Sequence, residues 1–87
     1  MILAALAEPT RQGILHRLRG GPLPVGRIAE GMTVTRPAVS QHLRVLHDAG
    51  IVSSRRVGTR NVYAIAPGGT RALLKWLAAL EPSAPRR

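Results

Sequence analysis

Apolar positions along the chain change their period as they go, and each change marks an element. The run Ile2-Leu3-Ala4-Ala5-Leu6-Ala7 supplies a first short helical stretch and leads into Glu8-Pro9-Thr10, where a second helix begins. Pro9 suits a first helical position, and Glu8 favours the positive end of the helix dipole. Ile14, Leu15 and Leu18 form that helix's buried stripe, which stops at the helix-ending pair Gly20-Gly21 followed by Pro22. Behind Pro24, the residues Val25, Ile28, Ala29 and Met32 fall at i, i+3, i+4 and i+7, which predicts a third helix of about two turns.

Thr33-Val34-Thr35 breaks that helix, and Thr35 is a good N-cap for a fourth one that tolerates Pro37 in its first turn. At about 100° per residue, Ala38, Val39, His42, Leu43, Val45, Leu46 and Ala49 fill one contiguous arc of this helix. Arg36, Pro37, Ser40, Gln41, Arg44 and His47 fill the other. His42 lies within the apolar arc and is read as a residue at or near the core. Two short helices joined by about four residues make a helix-turn-helix, here over residues 24–49.

Beyond Gly50, a residue suited to ending a helix, the pattern becomes β-branched. Ile51, Val52 and Val57 precede Gly58-Thr59, and Val62, Tyr63 and Ile65 follow, so residues 51–66 predict a hairpin. Pro67-Gly68-Gly69 is expected to break its second strand, with Thr70 capping a last helix over 70–80. In that helix Ala72, Leu73, Trp76, Leu77, Ala79 and Leu80 cover one broad face, Leu74 sits off it, and Arg71 and Lys75 are the only charges. A helix this apolar packs on two surfaces, one in its own domain and the other suited to a second subunit. Residues 81–87, with two prolines and a terminal Arg-Arg, read as a disordered basic tail.

Composition sharpens the pattern. Eighty-seven residues allow one small domain, mostly α with a small β-hairpin. A chain this short removes only roughly 60 to 65% of its unfolded surface from water. With no Phe, one Trp and one Tyr, the core must be aliphatic. Thirteen Lys and Arg, twelve of them Arg, oppose four acids for a formal charge of +9, which points to a polyanionic partner. The polar arc of the fourth helix carries almost no acid. Its Arg, Ser and Gln side chains are the types that read base edges in the major groove, Arg forking to guanine and Gln pairing with adenine.

Absence of Cys removes disulfides and thiolate metal sites. The three His are scattered, without clustered carboxylates, and make a poor metal site. No nucleophile triad, carboxylate pair or Gly-rich phosphate loop is present, so no enzymatic activity, metal or cofactor is implied. No segment approaches the roughly 20 apolar residues of a membrane span, and a soluble cytoplasmic protein is the simplest expectation.

Four blocks carry a resemblance to a known family. Leu6-Ala7-Glu8-Pro9-Thr10-Arg11, Val25-Gly26-Arg27-Ile28-Ala29-Glu30, Arg36-Pro37-Ala38-Val39-Ser40-Gln41-His42-Leu43, and Gly50-Ile51-Val52 through Arg55-Arg56 to Tyr63 resemble the ArsR-type winged helix-turn-helix repressors in order and spacing. The resemblance spans roughly Leu6 to Leu80 and implies a bacterial transcription repressor of about five helices plus a two-stranded wing, binding double-stranded operator DNA as a homodimer. The polar arc of the fourth helix, read as facing the major groove, gives base readout to Arg36, Ser40, Gln41 and Arg44. Thr35, Pro37, His47, Arg55, Arg56, Thr59 and Arg60 fall to the DNA backbone or the wing. Family dimers join through the first and last helices, which here means Leu3, Leu6, Leu73, Trp76, Leu77 and Leu80.

Two departures from the family pattern qualify the resemblance. Metal-sensing members carry a Cys pair where this chain has Pro24 and Gly26, or Asp and His ligands on the last helix, where it has Arg71, Lys75 and apolar residues. Control by metal at those sites is therefore not expected, and the sequence names no inducer. Members often have several more residues before Leu6, so the first helix is expected to be short. A winged-helix module that docks an acidic protein, or a sequence-indifferent nucleic-acid binder, would share the same basic surface.

Overall fold

The computed structural model describes residues 2–80, with side chains from Ala4 onward. The tail read over 81–87 and the side chain of Leu3 lie outside the described residues. The elements run α1 (Ile2–Leu6), α2 (Pro9–Leu18), β1 (Leu23–Pro24), α3 (Val25–Ala29), α4 (Arg36–Asp48), β2 (Val52–Val57), β3 (Arg60–Ile65) and α5 (Pro67–Leu80). The three strands form one antiparallel sheet in the order β1-β3-β2. This is the mostly helical winged architecture expected, with one strand more.

Local chemistry sets most boundaries. Glu8 caps α2, its Oε1 accepting the Arg11 N–H at 3.0 Å, and Pro9 follows in the first turn. Thr35 caps α4, its Oγ1 accepting the Ala38 N–H at 3.2 Å. The far end of α4 closes through a left-handed Gly50 (φ 80°), with the Gly50 N–H donating to His47 O at 2.9 Å and the Ile51 N–H to Leu46 O at 2.9 Å. That pair of bonds is a Schellman motif. It carries the chain from the helix into the sheet while keeping Leu46 and Ile51 both buried. At the wing tip, Gly58 (φ 63°) takes the first position of a two-residue turn, as a II′ hairpin requires.

The core is wholly aliphatic: Ala5, Ile14, Leu18, Ile28, Val39, Leu43, Leu46, Ile51 and Val52. Val39, Leu43 and Leu46 lie at i, i+4 and i+7, so burial on α4 centres on one side of its apolar arc. Val45 sits on the opposite margin of that arc and is 40% exposed, contrary to its expected place in the buried stripe. His42, between the two margins, is half-buried.

Three other expectations are corrected. The third helix ends at Ala29, because Gly31 (φ 75°) turns the chain. Met32 packs on the core from beyond that end rather than from a second turn. Leu23–Pro24 forms an additional strand on β3, pairing Leu23 with Tyr63 and Pro24 with Val62. Proline is tolerated on such an edge because it owes the ladder no N–H there. Finally, α5 starts at Pro67, not Thr70. Gly68 and Gly69 lie inside its first turn, and a Cβ at Gly69 would overlap the Gly50 carbonyl oxygen. The glycine serves close approach of two backbones rather than termination. Thr70 is an interior residue whose hydroxyl donates to Pro67 O at 3.1 Å.

Candidate nucleic-acid interface

Once Val39, Leu43 and Leu46 are buried, the rest of α4 is fixed in direction. Arg36, Pro37, Ser40, Gln41, Arg44 and His47 are all exposed, and they occupy the face opposite the core. Among the described residues, no carboxylate lies within 4.0 Å of the guanidinium of Arg36, Arg44, Arg55, Arg56 or Arg60. Asp48 lies beside this face, 3.6 Å from Nδ1 of His47, and both side chains are largely in solvent.

The wing stands next to this helix. Its register pairs Ser54 with Tyr63, Arg55 with Val62, Arg56 with Asn61 and Val57 with Arg60. Because successive strand residues point to opposite faces, Arg55 and Arg56 separate. Arg56 and Asn61 share the face of Ser54 and Tyr63. That face meets α4 across an open cleft of about 440 Å³ lined by Ser40, Arg44, His47, Asp48, Ser54 and Tyr63. Thr59, Arg60 and both other wing arginines are exposed. The arrangement offers hydrogen-bond donors at two heights: short polar groups and forks on the helix, cations on the wing. A polyanion with a groove wide enough for a helix matches it.

The family model for the bacterial regulatory proteins of the arsR family matches residues 8–54, more than half of the chain. The chain belongs to the arsR family. Among its relatives, the HTH-type transcriptional regulator Rv2034 of Mycobacterium tuberculosis is 54% identical over 69 residues, covering 79% of this chain and 64% of the relative. The chain thus spans just under two thirds of that protein's length. The transcriptional repressor SdpR of Bacillus subtilis is 32% identical over 76 residues, covering 87% of this chain and 84% of the relative. The homodimeric winged helix-turn-helix DNA-binding domain of Mb0332 from Mycobacterium bovis superposes with a TM-score of 0.74 at 34% identity, covering 90% of this chain and 75% of that one.

In this arsR-family chain the block Glu8-Pro9-Thr10-Arg11 does more than start a helix. Arg11 Nη1 donates to the carbonyls of Ala4 (3.2 Å) and Ala5 (3.3 Å), closing the end of α1, while Nε donates to Nδ1 of His42 at 3.2 Å. An arginine can only donate, so Nδ1 of His42 is the acceptor in this contact. The same Nδ1 lies 3.9 Å from Glu8 Oε1, the ion pair the ring forms when protonated. Partial burial acts to raise the Glu8 carboxyl. The Arg11 N–H, the His42 charge, the Thr10 N–H and the Arg11 guanidinium together outweigh it and hold the group below its ordinary value. One side chain from α2 therefore ties α1 to the middle turn of α4.

The residues expected to join subunits fall on two elements. Leu6 is half-buried against the core. On α5, Leu73 is half-buried, whereas Trp76, Leu77 and Leu80 are 49%, 42% and 60% exposed, and Leu74 is 67% exposed. No α5 side chain is buried. No group of three or more potential metal ligands occurs among the described residues, and no described helix is long and apolar enough to cross a membrane. Sequence reasoning missed Ser54 and Asn61 as members of the cationic face. The signal was present in the alternation counted from Tyr63 and Arg56, but it needs the strand register to be read.

Proposed function

We propose that this chain is a sequence-specific, double-stranded DNA-binding transcription regulator that represses as a homodimer on a pseudo-palindromic operator. The observation that carries the reading is the acid-poor strip of Arg36, Ser40, Gln41 and Arg44 on α4, flanked by the arginines of the wing, in a chain of the arsR family. Laid in the major groove, α4 presents Ser40, Gln41 and Arg44 to base edges, with Arg36 at its first turn. Thr35, Pro37, His47, Arg55, Arg56, Thr59 and Arg60 serve the DNA backbone and the wing's groove. Repression is supported by the likeness to SdpR and dimerisation by the likeness to Mb0332. Leu73, Trp76, Leu77 and Leu80 of α5, with Leu6, supply the subunit contact. The regulator works in the bacterial cytoplasm, where its DNA is, and catalyses no reaction.

Selection of bound duplexes from a random pool, followed by anisotropy titrations across a salt series, tests this. Gln41→Ala is expected to relax base preference at one position of each half-site by about 1–3 kcal/mol. Arg56→Ala is expected to weaken binding to all duplexes alike and to flatten the salt slope by about one unit. Equal loss on every sequence for Gln41→Ala overturns its base-reading role. Absence of salt-dependent duplex binding overturns the function.

A further inference from the structure

A second cleft adjoins the strip at Arg36, where α3, the start of α4 and the start of β3 meet. It has a volume of about 320 Å³ and is lined by Pro24, Gly26, Arg27, Glu30, Arg36 and Arg60. Arginines from three elements line it, Arg27, Arg36 and Arg60, against one carboxylate. That carboxylate, Glu30, pairs with Arg27 alone, Oε1 to Nη1 at 3.6 Å, and both side chains remain mostly exposed. Arg36 does not stand straight out from α4. Its guanidinium folds back over α3, with all three terminal atoms within 3.5–3.7 Å of where a Gly26 Cβ would be. A planar cation laid over a bare backbone, in a cleft that two further arginines line, is a place where an anion relieves like-charge repulsion.

We infer that Arg36, Arg60 and Arg27 form a seat for a phosphate-type oxyanion. Guanidinium forks match phosphate oxygens in bidentate fashion, and two forks from different elements engage such a group together in a way neither does alone. The cleft is open to solvent and its volume lies at the small end of ligand sites, so it admits a free phosphate or phosphorylated small molecule as well as a phosphodiester of bound DNA. Turned this way, Arg36 serves a phosphate and leaves base edges to Ser40, Gln41 and Arg44. Occupation by a free anion would cancel two cations at the edge of the duplex-binding face and so weaken DNA binding. That consequence rests on the DNA-binding reading; the seat itself does not.

The probe is inorganic phosphate, followed by the arginine Nε–H resonances of the full chain, with sodium chloride at matched ionic strength as the control. Saturable shifts at Arg36 and Arg60 that chloride does not reproduce are expected. Arg36→Ala and Arg60→Ala should each weaken phosphate about tenfold, the loss of one charge-assisted contact. Gly26→Asp, whose Cβ meets Arg36 at ordinary contact distance and so carries a carboxylate beside it, should abolish binding, whereas Glu30→Gln frees Arg27 and should tighten it. Non-saturable shifts, or shifts equal in chloride, overturn the inference. So does unchanged phosphate affinity in the folded Arg60→Ala and Gly26→Asp variants. Repeating the titration with a saturating short duplex separates the sources: a phosphate response abolished at every phosphate concentration assigns the seat to a DNA phosphodiester, and one that stays saturable with weakened affinity assigns it to a free anion, since the coupling between anion and duplex is reciprocal. The first titration contains no DNA, so a chain that binds phosphate but no duplex keeps the seat and loses the regulator.

Discussion

Arg11 is the side chain on which most local geometry converges. It closes α1 through two carbonyls and holds His42 of α4 through Nε. Truncation leaves those acceptors unpaired in a partly buried place, so Arg11→Ala is expected to cost about 2 kcal/mol in urea unfolding while leaving the aliphatic core intact. Arg11→Lys, a single point donor, should recover only part of it. Glu8 gives the same junction a pH dependence. Its folded carboxyl sits below the unfolded value, so its stabilisation is fully present above the unfolded carboxylate range, about pH 4.3, and disappears as pH falls through the folded value. Denaturation midpoints measured from pH 6 downward should therefore fall on acidification, and Glu8→Gln, which keeps an oxygen for the Arg11 N–H, should flatten that limb. Pro9 and Glu8 announce the helix start in the sequence, but the reach of Arg11 to His42, thirty-one positions away, follows no local pattern.

At the level of elements, what was legible depended on whether the deciding partner was local. The cap at Thr35, the stop at Gly50 and the turn at Gly58-Thr59 are each set by residues within a few positions, and each occurs where the pattern predicts it. The misread features have distant causes. Leu23–Pro24 becomes a strand only because Tyr63 and Val62 lie alongside. Val45 is exposed because the core contacts α4 along Val39, Leu43 and Leu46 rather than across the whole apolar arc. Gly68-Gly69 looks like a breaker, yet Gly69 lies in a helix because the Gly50 carbonyl needs the space of its missing Cβ. Gly69→Ala tests this. On an open helix it would stabilise, since Ala is the better helix former by about 1 kcal/mol. Here backbone meets backbone, so the variant is expected to destabilise by about 1–3 kcal/mol, whereas Gly68→Ala, with open space around it, should be neutral or stabilising. Thermal unfolding of the two variants side by side checks the sign of each.

Taken whole, the described chain is longer than its residue count suggests. Its radius of gyration is 15.0 Å and its extents are 55 × 26 × 21 Å. A compact chain of this length would have a radius near 12 Å. The excess is α5, which makes no extensive contact with any other described element and leaves Trp76, Leu77 and Leu80 in solvent. A domain this small has little core to spare, so in the proposed homodimer covering that stripe with a second copy would add stability as well as symmetry. The stripe at Leu73, Trp76, Leu77 and Leu80 has the i, i+3, i+4, i+7 spacing of a helix seam, whereas Lys75 and Arg71 lie off it. Leu77→Asp is therefore expected to give a monomer by sedimentation equilibrium, with a lower Tm that no longer rises with protein concentration, while Lys75→Ala stays dimeric. Each monomer keeps its α4 and wing, so affinity for a single half-site should change little. On a full operator, with half-sites about one helical turn or roughly 10 base pairs apart, the loss should reach about a hundredfold, because the second half-site is no longer held at high local concentration. A Leu77→Asp protein that remains dimeric would move the interface off α5. A monomer that loses half-site and full-site affinity equally would mean that α5 supports the fold of the DNA-facing surface rather than the pairing of two copies.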